Sequence, residues 1–506
     1  MIEIEPARAD FNTAYEQGRA QLVWTKRVND LETPVSALLK LGAETPGAFL
    51  FESVEDGDWR GRYSVIGLKP DLIWRVVNGK IQKSSGGFED ANFRPVKGDP
   101  IAGLRKVVAD NALNIPPALP PMAAGLFGYL GYDMIRYVER LPTAPPDTLG
   151  VPEALLMRPT IVAIFDSVAQ EITLVTQVRP GRTPAGRAYE LALARLESAV
   201  RLLDRAIKHV KTNAAPNGEI KPTSNTSESE YHGFVDRAKT YVKAGDIFQV
   251  VPSQRFATPF EKPPFALYRA LRRINPSPYL FYMNFKTFSI VGSSPEVLVR
   301  LKDDMVTIRP LAGTRPRGKT PAEDLRNEED LLADPKERAE HLMLLDLGRN
   351  DVGRVALRGK RGNAAGREGG VRVTSSFAIE RYANVMHIVS NVEGRIAPEH
   401  DAIDALFAGF PAGTVSGAPK VRAMEIINEL EKAKRGVYAG GVGYFSANGD
   451  MDTCIALRTA VVKDGVLYVQ AGGGIVLDSD PQLELEETQH KARALFRAAE
   501  EAWRFS

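Results

Sequence analysis

VYAGGVGYFSANGDMDTCIALRTAVVKDGVLYVQA, residues 437–471, is the stretch of sequence that indicates the fold most directly. Two turn signals, Asn448-Gly449 and Asp464-Gly465, divide it into apolar runs at 437–446, 451–462 and 466–471. Asn-Gly and Asp-Gly between apolar runs are typical of tight β-hairpin turns. Because strands joined by such turns pair antiparallel, the stretch predicts a meander and argues against a doubly wound nucleotide-binding fold.

The same theme occurs in the first part of the chain, where an Asn78-Gly79 turn follows an apolar run. Further predicted strands cover residues 48–54, 62–67, 72–77, 161–165 and 171–178. Helical patterns cover residues 184–210, 320–348 and 480–504. Together these elements predict an α+β fold with antiparallel sheets and long flanking helices.

A composition shift divides the chain into two parts. Residues 206–227 are polar and rich in turn formers, which is typical of a linker. Ser227 to Glu230 has the pattern of a capping box and predicts a helix that ends near Gly245. We therefore expect an N-terminal part, 1–205, a linker, 206–227, and a C-terminal part, 228–506.

Composition excludes several classes of protein. The chain has 506 residues, with 65 Lys and Arg against 63 Asp and Glu, so no basic surface for nucleic acid or anionic lipid is indicated. The long uncharged run 111–132 contains four prolines, which argues against a membrane helix. With one cysteine, Cys454, and no signal-peptide pattern at the start, we expect a cytoplasmic protein.

Two pairs of glutamates have a spacing that places both carboxylates on one helix face. The pairs are Glu337 with Glu340, and Glu484 with Glu487. Facing each other, they would supply hard oxygen ligands for one Mg²⁺. The alternative is that they are ordinary solvated helix residues.

The glycine-rich segments do not match a nucleotide-binding motif. Ala439 to Tyr444 and Ala471 to Ile475 follow strand patterns without opening a helix, so they indicate bulges or backbone amides that could hold a carboxylate. The basic, glycine-rich segment 358–370 indicates a surface loop, with phosphate binding as the alternative.

Several separated segments resemble the chorismate-utilising enzymes. They are Phe410 to Lys420 (FPAGTVSGAPK), Ile308 to Thr314 (IRPLAGT), Gly292 to Glu296 (GSSPE) and Glu487 to Lys491 (ETQHK). The resemblance extends from Ser227 to the C-terminus and more weakly through the N-terminal part. It implies large antiparallel sheets packed as a sandwich, with helices outside. Within the family the chain is most similar to the aminating branch, the anthranilate synthases, which convert chorismate and ammonia to anthranilate and pyruvate.

The resemblance also implies roles for individual residues. Glu340 and Glu487 would bind Mg²⁺, with Glu337 and Glu484 in support. The groups that would hold the substrate are Gly313, Thr314, Tyr438, Arg458, Gly472, Gly473, Gly474 and Lys491. An arginine fork suits a carboxylate, and Lys491 follows Glu487 by one helical turn.

Three residues would carry the chemistry. Glu296 would be the general acid for departure of the C4 hydroxyl, which requires a carboxyl of raised pKa. His387 would assist the elimination of pyruvate, although a histidine in an apolar strand is commonly a core residue. Thr414, within the 410–420 segment, would complete the catalytic set.

Two positions indicate which nucleophile would attack chorismate. Relatives that add water have a lysine at the position of Gln249, and aminodeoxychorismate synthases have one at the position of Ala312. Neither glutamine nor alanine can act as base or nucleophile, whereas ammonia needs no activation. Because Cys454 lacks the context of a glutaminase nucleophile, we expect a separate glutamine amidotransferase subunit, in a heterotetramer.

One segment of the N-terminal part and one segment of the C-terminal part resemble the tryptophan-binding elements of feedback-inhibited members of the family. They contribute Glu52 and Ser53 from one segment, and Pro278, Tyr279 and Leu280 from the other. Taken by themselves, the segments would be a buried strand and a proline turn before an aromatic strand. The resemblance therefore predicts that L-tryptophan binds there as an inhibitor.

Two other functions stay open at this point. One is a different conversion of chorismate, such as isochorismate or salicylate formation, which Gln249 disfavours. The other is a catalytically silent regulatory subunit, which would be expected to have lost Glu296, Glu340 or Glu487; all three are present.

Overall fold

The structure is a computed structural model, and it describes residues 3–52, 61–207, 220–358, 370–382 and 385–505. The strands within these ranges are β1 (Gln21–Val28), β2 (Phe49–Glu52), β3 (Tyr63–Val77), β4 (Lys80–Ser84), β5 (Arg94–Val96), β6 (Gly125–Leu130), β7 (Ala154–Asp166), β8 (Glu171–Val178), β9 (Thr223–Ser224), β10 (Gln249–Val250), β11 (Ser253–Pro259), β12 (Tyr279–Asn284), β13 (Phe288–Ser294), β14 (Val297–Lys302), β15 (Met305–Ile308), β16 (Leu311–Pro316), β17 (Arg372–Arg381), β18 (Val385–Arg395), β19 (Gly417–Ala418), β20 (Gly441–Ser446), β21 (Met451–Ile455), β22 (Thr459–Lys463) and β23 (Val466–Gly472).

The α-helices within the same ranges are α1 (Arg8–Glu16), α2 (Pro34–Leu41), α3 (Pro100–Asp110), α4 (Ala185–Leu203), α5 (Glu228–Lys243), α6 (Pro264–Ile274), α7 (Pro321–Ala333), α8 (Pro335–Gly353), α9 (Ala402–Gly409), α10 (Lys420–Leu430) and α11 (Pro481–Glu501). Short 3₁₀ turns link them, among them Gly413–Val415.

All strand pairings in the described part of the chain are antiparallel. The first sheet has the order β9-β11-β23-β22-β13-β12-β2-β3-β7-β8-β1. The second has the order β5-β4-β3-β7-β6-β20-β21-β14-β15-β18, with β16 and β17 also on β18. The long strands β3 and β7 belong to both sheets, and the register of β3 shifts between Pro70 and Leu72. The bulge lets one pair of strands pass from one sheet to the other.

The two sheets pack face to face as a sandwich. Phe49 of the first sheet stacks on Phe127 of the second, with ring centroids 4.7 Å apart. Both rings belong to an apolar core that takes side chains from both sheets. Helices α4, α6 and α11 cover the outer face of the first sheet, and α3, α8 and α9 cover that of the second. The predicted α+β sandwich with outer helices is therefore confirmed.

Some predictions of local structure are confirmed, and others were wrong. The Asn78-Gly79 and Asp464-Gly465 hairpins are present, with all four residues at positive φ, as a type I′ turn requires. The capping box of Ser227 and Glu230 begins α5. The predicted single strand 451–462 was wrong, because β21 ends at Ile455 and β22 starts at Thr459.

Other boundaries also differ from the sequence-based ones. The predicted helix 320–348 is two helices, because Asp334 caps a new helix whose first residue is Pro335. Strands 62–67 and 72–77 form the single strand β3. The pairs β2–β12 and β6–β20 join strands from both sides of the predicted linker, and the division at 206–227 stays a prediction. None of the helices in the described ranges is long and apolar enough to cross a membrane.

Candidate active site

Glu296 lies in the turn between β13 and β14, where it is 5 % exposed. The backbone N–H of Ile455 in β21 bonds to the Glu296 carbonyl at 3.0 Å, which fixes this turn. Burial raises the pKa of the Glu296 carboxyl to about 8, although the Thr414 hydroxyl, the Leu311 backbone and the Lys491 charge oppose the shift. A carboxyl of this pKa is largely protonated at neutral pH, as the sequence-based role of general acid requires.

Thr414 lies beside Glu296 on the 3₁₀ turn Gly413–Val415. Both residues line a small cavity of about 30 Å³ between the turn and α8. Two of the three predicted catalytic residues are therefore neighbours.

His387, the third, lies on β18 and is 4 % exposed. Its Nδ1 is 2.9 Å from the Gly313 carbonyl oxygen and 3.1 Å from the Thr314 hydroxyl. Because a carbonyl only accepts, Nδ1 carries the proton and Nε2 the lone pair. Burial lowers the pKa of His387 to about 4. The ring is thus neutral, and Nε2 has no hydrogen-bond partner among the described residues.

A bulge in β16 places Gly313 between His387 and helix α8. The register against β18 shifts between Ala312 and Thr314, and Gly313 has φ +71°. A Cβ at this position would lie 3.2 Å from Glu337 Oε2 and 3.1 Å from a Leu331 methyl group. The bulge thus brings the backbone of one predicted substrate residue against one predicted metal carboxylate.

Arg458 lies in the break between β21 and β22, at φ +46°. Its guanidinium makes no ion pair or hydrogen bond with any residue that the structure describes, and burial lowers its pKa. A half-buried guanidinium without a carboxylate partner is suited to bind an anionic ligand.

The segment Gly472 to Gly474 follows β23 and is surrounded by side chains. A Cβ on Gly472 would lie 2.9 Å from the Tyr438 hydroxyl, and one on Gly473 would lie 2.8 Å from Glu484 Oε2. Lys491 Nζ donates to the Gly472 carbonyl at 2.9 Å and forms an ion pair with Glu487 at 2.6 Å. Glycine at these positions is what lets the backbone approach so closely.

Gln249 connects this glycine segment to α8. Its Nε2 donates to Glu340 Oε1 at 2.9 Å, and a Cβ on Gly474 would lie 2.5 Å from the same nitrogen. One carboxylate of each predicted pair therefore lies near the stretch 472–474: Glu484 of α11 directly, and Glu340 of α8 through Gln249.

The carboxylates have the chemistry of a site for a hard divalent cation. Burial and the neighbouring Glu340 raise the pKa of Glu337, and burial and Glu487 raise that of Glu484. Glu484 Oε2 is buried with no hydrogen-bond partner in the described part of the chain. Like-charged, partly unpaired oxygens of this kind fit Mg²⁺. The described residues nevertheless contain no group of three or more His, Cys, Asp or Glu placed to hold a metal ion.

A buried ion pair that was not predicted from the sequence packs against Tyr438. Arg435 binds Glu431 and donates to the carbonyls of Val415 and Val251, and its guanidinium lies 4.7 Å from the Tyr132 ring and 5.4 Å from the Tyr438 ring. The spacing of four between Glu431 and Arg435 was a visible signal.

The predicted tryptophan residues border a second cavity, which has a volume of about 350 Å³ and lies between the sheets. Glu52, Pro278, Tyr279 and Leu280 all line it, and β2 pairs with β12 there. The Glu52 carboxylate is bound by Arg272 at 2.8 Å and by the Tyr268 hydroxyl. Ser53 lies outside the described residues, as does most of the basic segment 358–370.

Glu296 with a raised pKa, His387 as a neutral ring and Arg458 without an acidic partner among the described residues are suited to act on a small anionic molecule. Residues 49–497 match the family model described as chorismate binding enzyme. The chain is 55% identical over 501 residues to anthranilate synthase component 1 of Cereibacter sphaeroides, covering 98% of each. It is 50% identical over 474 residues to the same protein of Pseudomonas aeruginosa, covering 93% of each.

Two solved structures also match this chain. The crystal structure of anthranilate synthase component I from Streptococcus pneumoniae matches with a TM-score of 0.74 and 36% identity, over 88% of this chain and 94% of that one. The menaquinone-specific isochorismate synthase of Escherichia coli, at 19% identity and a TM-score of 0.68 over 96% and 99% of the chains, shares the fold. The chain belongs to the chorismate-binding enzyme family and, within it, to the anthranilate synthase component 1 group.

Proposed function

We propose that this chain is the aminating subunit of an anthranilate synthase, which converts chorismate and ammonia to anthranilate and pyruvate. The observation that carries the proposal is the buried Glu296 carboxyl, whose pKa of about 8 keeps it protonated beside Thr414. Relatives that are 50% and 55% identical over nearly their full length bear that name, which supports it.

Substrate binding follows from the charges. Chorismate carries two carboxylates; Lys491 is a cation beside the glycine segment 472–474, and Arg458 is a cation close enough to His387 to influence its charge. Arg458 binds the enolpyruvyl carboxylate, with Tyr438 and the amides of 472–474, and Lys491 binds the ring carboxylate. Gly313 and Thr314 line the ring from the other side. Lys491 releases the Gly472 carbonyl when it takes the ligand, because its present partner there is a neutral acceptor.

The first chemical step is an addition with loss of water. Glu296 gives its proton to the C4 hydroxyl, the C4–O bond breaks, and water leaves. The lone pair of ammonia forms a bond to C2, and the ammonium group that results loses one proton, which returns to Glu296. The net change is chorismate plus NH₃ giving an amino intermediate plus H₂O.

The second step eliminates pyruvate and leaves an aromatic ring. The proton on C2 is removed, the ring C–O bond to the enolpyruvyl oxygen breaks, and the enolate that leaves takes up one proton at its methylene carbon to become pyruvate. His387 Nε2 assists, because its lone pair is free while Nδ1–H is held by the Gly313 carbonyl. The His387 position on β18 is fixed by the bulge at Gly313, which keeps Nε2 in place.

A magnesium ion fits this scheme. Glu340 and Glu487, with Glu337 and Glu484 in support, would hold Mg²⁺, whose charge would offset that of the ring carboxylate. Gln249 donates to Glu340, and Lys491 forms an ion pair with Glu487, so both proposed ligands already lie against polar partners.

Ammonia is supplied by a separate glutamine amidotransferase subunit, in a heterotetramer. Cys454 cannot serve as a glutaminase nucleophile, since burial raises the pKa of its thiol well above the usual range and it is 1 % exposed. The component numbering in the relatives' names supports a second component.

L-Tryptophan is proposed to bind in the 350 Å³ cavity between the sheets. The cavity joins β2 of the N-terminal part to β12 of the C-terminal part, so a ligand there can shift their relative placement by its differential affinity for two states. Ser53→Arg should relieve inhibition while turnover without tryptophan stays near the parent value. Equal inhibition of parent and variant would contradict this assignment.

The experiment that tests the catalytic proposal follows the product. Purified chain with chorismate, Mg²⁺ and an ammonium salt should form anthranilate, detected by its fluorescence, together with an equal amount of pyruvate. Accumulation of isochorismate or salicylate instead would contradict it.

A further inference from the structure

Asp351 is a buried carboxylate on α8, and it lines the cavity of about 30 Å³ that Glu296 and Thr414 also line. It lies about three helical turns beyond Glu340, or about 16 Å along the helix axis, since the rise is about 1.5 Å per residue. Asp351 is therefore remote from the proposed metal ligands and shares a cavity with the proposed general acid.

Two cations hold the Asp351 carboxyl in its charged form. Lys420 Nζ donates to Asp351 Oδ2 at 2.9 Å, and the two side chains are 11 % and 5 % exposed. Burial raises the pKa of Asp351, whereas the charges of Lys420 and Arg354 oppose that rise. Because Lys420 binds Oδ2, the other carboxylate oxygen, Oδ1, is left for a second donor.

Two polar atoms of the residues that line this cavity have no hydrogen-bond partner among the described residues. They are Asp351 Oδ1 and Thr414 Oγ1. Both are buried, and a buried polar atom without a partner costs free energy. The cavity volume of about 30 Å³ matches the volume that one water molecule occupies in the liquid. One water, with its two O–H groups, can donate to both atoms.

We propose that Asp351, through one water molecule and the Thr414 hydroxyl, orients the Glu296 carboxyl so that its proton faces the substrate; the inference rests on the amination proposed above. An ionised carboxylate only accepts hydrogen bonds, so the water donates one hydrogen to Asp351 Oδ1 and its other hydrogen to Thr414 Oγ1. The Thr414 hydroxyl keeps its own hydrogen for Glu296, beside which it lies.

The direction of this chain of hydrogen bonds decides which Glu296 oxygen carries the proton. The oxygen that accepts from Thr414 is the carbonyl oxygen of the protonated carboxyl, because the other oxygen is the donor. The O–H group is then free to protonate the C4 hydroxyl. Asp351 transfers no proton itself and touches no reacting atom, so it is a positioning residue.

The proposed role affects only the first of the two chemical steps. Departure of the C4 hydroxyl uses the Glu296 proton, whereas the loss of pyruvate from the amino intermediate breaks a different bond and is assisted by His387. A residue that only stabilised the fold would slow both steps. Measuring the two steps separately therefore distinguishes positioning from a structural role.

The test compares Asp351→Asn with the parent. Lys420 only donates, so the asparagine carbonyl must face Lys420 and its NH₂ must face the cavity, where it cannot accept a hydrogen from water. With enzyme in excess over chorismate, the single-turnover rate of chorismate consumption should fall about threefold to tenfold, the effect of one lost hydrogen bond. The rate at which the purified amino intermediate releases pyruvate should change less than about twofold.

Asp133→Asn is the matched control. Asp133 is also 4 % exposed, its Oδ1 accepts from Arg136 Nε at 2.9 Å, and its Oδ2 has no partner in the described ranges. It lines neither the cavity beside Glu296 nor the cavity between the sheets. This variant should keep the parent's rates for both steps, so any general effect of losing a buried carboxylate is accounted for.

A second comparison tests the link through Thr414. In a Thr414→Val background the chain of hydrogen bonds is already cut, so adding Asp351→Asn should slow chorismate consumption by less than about twofold further. A further loss of about threefold to tenfold in that background would contradict the link. If Asp351→Asn does not fold, Asp351→Leu combined with Lys420→Met removes both charges together and should show the same selective loss.

The outcomes separate the two proposals. Selective slowing of chorismate consumption supports the role of Asp351, whereas unchanged rates, or equal slowing of both steps, overturn it. A parent chain that consumes no chorismate in the presence of ammonia would instead refute the proposed function itself.

Discussion

The role proposed for Glu296 depends on its burial, and its titration gives the first prediction. The acid must be protonated to act, so the rate constant per molecule of free NH₃ should fall as the pH rises through the Glu296 pKa of about 8. Glu296→Gln should lower kcat by about a hundredfold or more, because a positioned general acid contributes about 10²–10⁴-fold. The check is a pH profile with the rate divided by the calculated NH₃ concentration. A profile that stays flat from pH 7 to about 9 would contradict the role.

The metal assignment gives the second prediction. Glu340→Gln and Glu487→Gln should each abolish Mg²⁺-dependent turnover without changing the thermal unfolding midpoint, since neither side chain belongs to the apolar core. Isothermal titration of Mg²⁺ into each variant is a readout independent of activity. Full activity of both variants in excess EDTA would rule out these ligands.

A third prediction concerns the ion pair beneath Tyr438. Arg435→Met should lower the free energy of unfolding by about 3–5 kcal/mol, because it leaves the Glu431 carboxylate buried without its cation. Arg187→Met, which breaks the exposed pair with Glu190, should cost less than about 1 kcal/mol. Denaturant titration measures both, and similar losses would argue against a special role for the buried pair.

At the scale of elements, the sequence predicted what depends on local chemistry. The Asp464-Gly465 turn and the Ser227 capping box are present as expected. The break at 456–458 was not predictable, because the apolar pattern runs through it. It arises because β21 pairs with β14 and β20 in one sheet, whereas β22 pairs with β13 and β23 in the other. This change of partners leaves Arg458 at positive φ.

The candidate active site likewise has features that the sequence predicts and features that it does not. The residue types and their helical spacing could be read from the sequence, and the family resemblance supplied their roles. The tautomer of His387 could not be read, because it depends on the Gly313 bulge in a neighbouring strand. The contact of Gln249 with Glu340 joins residues 91 positions apart, and local pattern carries no information about it.

The fourth prediction belongs to the strand pair that borders the cavity. Pro278→Ala, which removes ring atoms from the cavity wall just before β12, should weaken inhibition by tryptophan and leave turnover without tryptophan near the parent value. Pro263→Ala, at the start of α6 and not among the cavity-lining residues, is the control. Inhibition curves that superimpose for both variants and the parent would argue against binding in this cavity.

At the scale of the whole molecule, the two sheets and their helices form two separate sites for which ligands are proposed. The cavity between them is proposed to bind a regulator, and the site between α8 on the second sheet and α11 on the first is proposed to bind the substrate. The turn carrying Glu296 lines both spaces. A ligand in the larger cavity is therefore adjacent to the proposed general acid.

The most direct test of the central claim gives the isolated chain chorismate, Mg²⁺, ¹⁵N-labelled ammonium and unlabelled glutamine together. Mass spectrometry of the product should find anthranilate that carries the label in full, with an equal amount of pyruvate, because we propose that the chain forms the C–N bond from free ammonia and depends on a separate subunit to hydrolyse glutamine. Unlabelled anthranilate, or a hydroxylated product without nitrogen, would contradict the account.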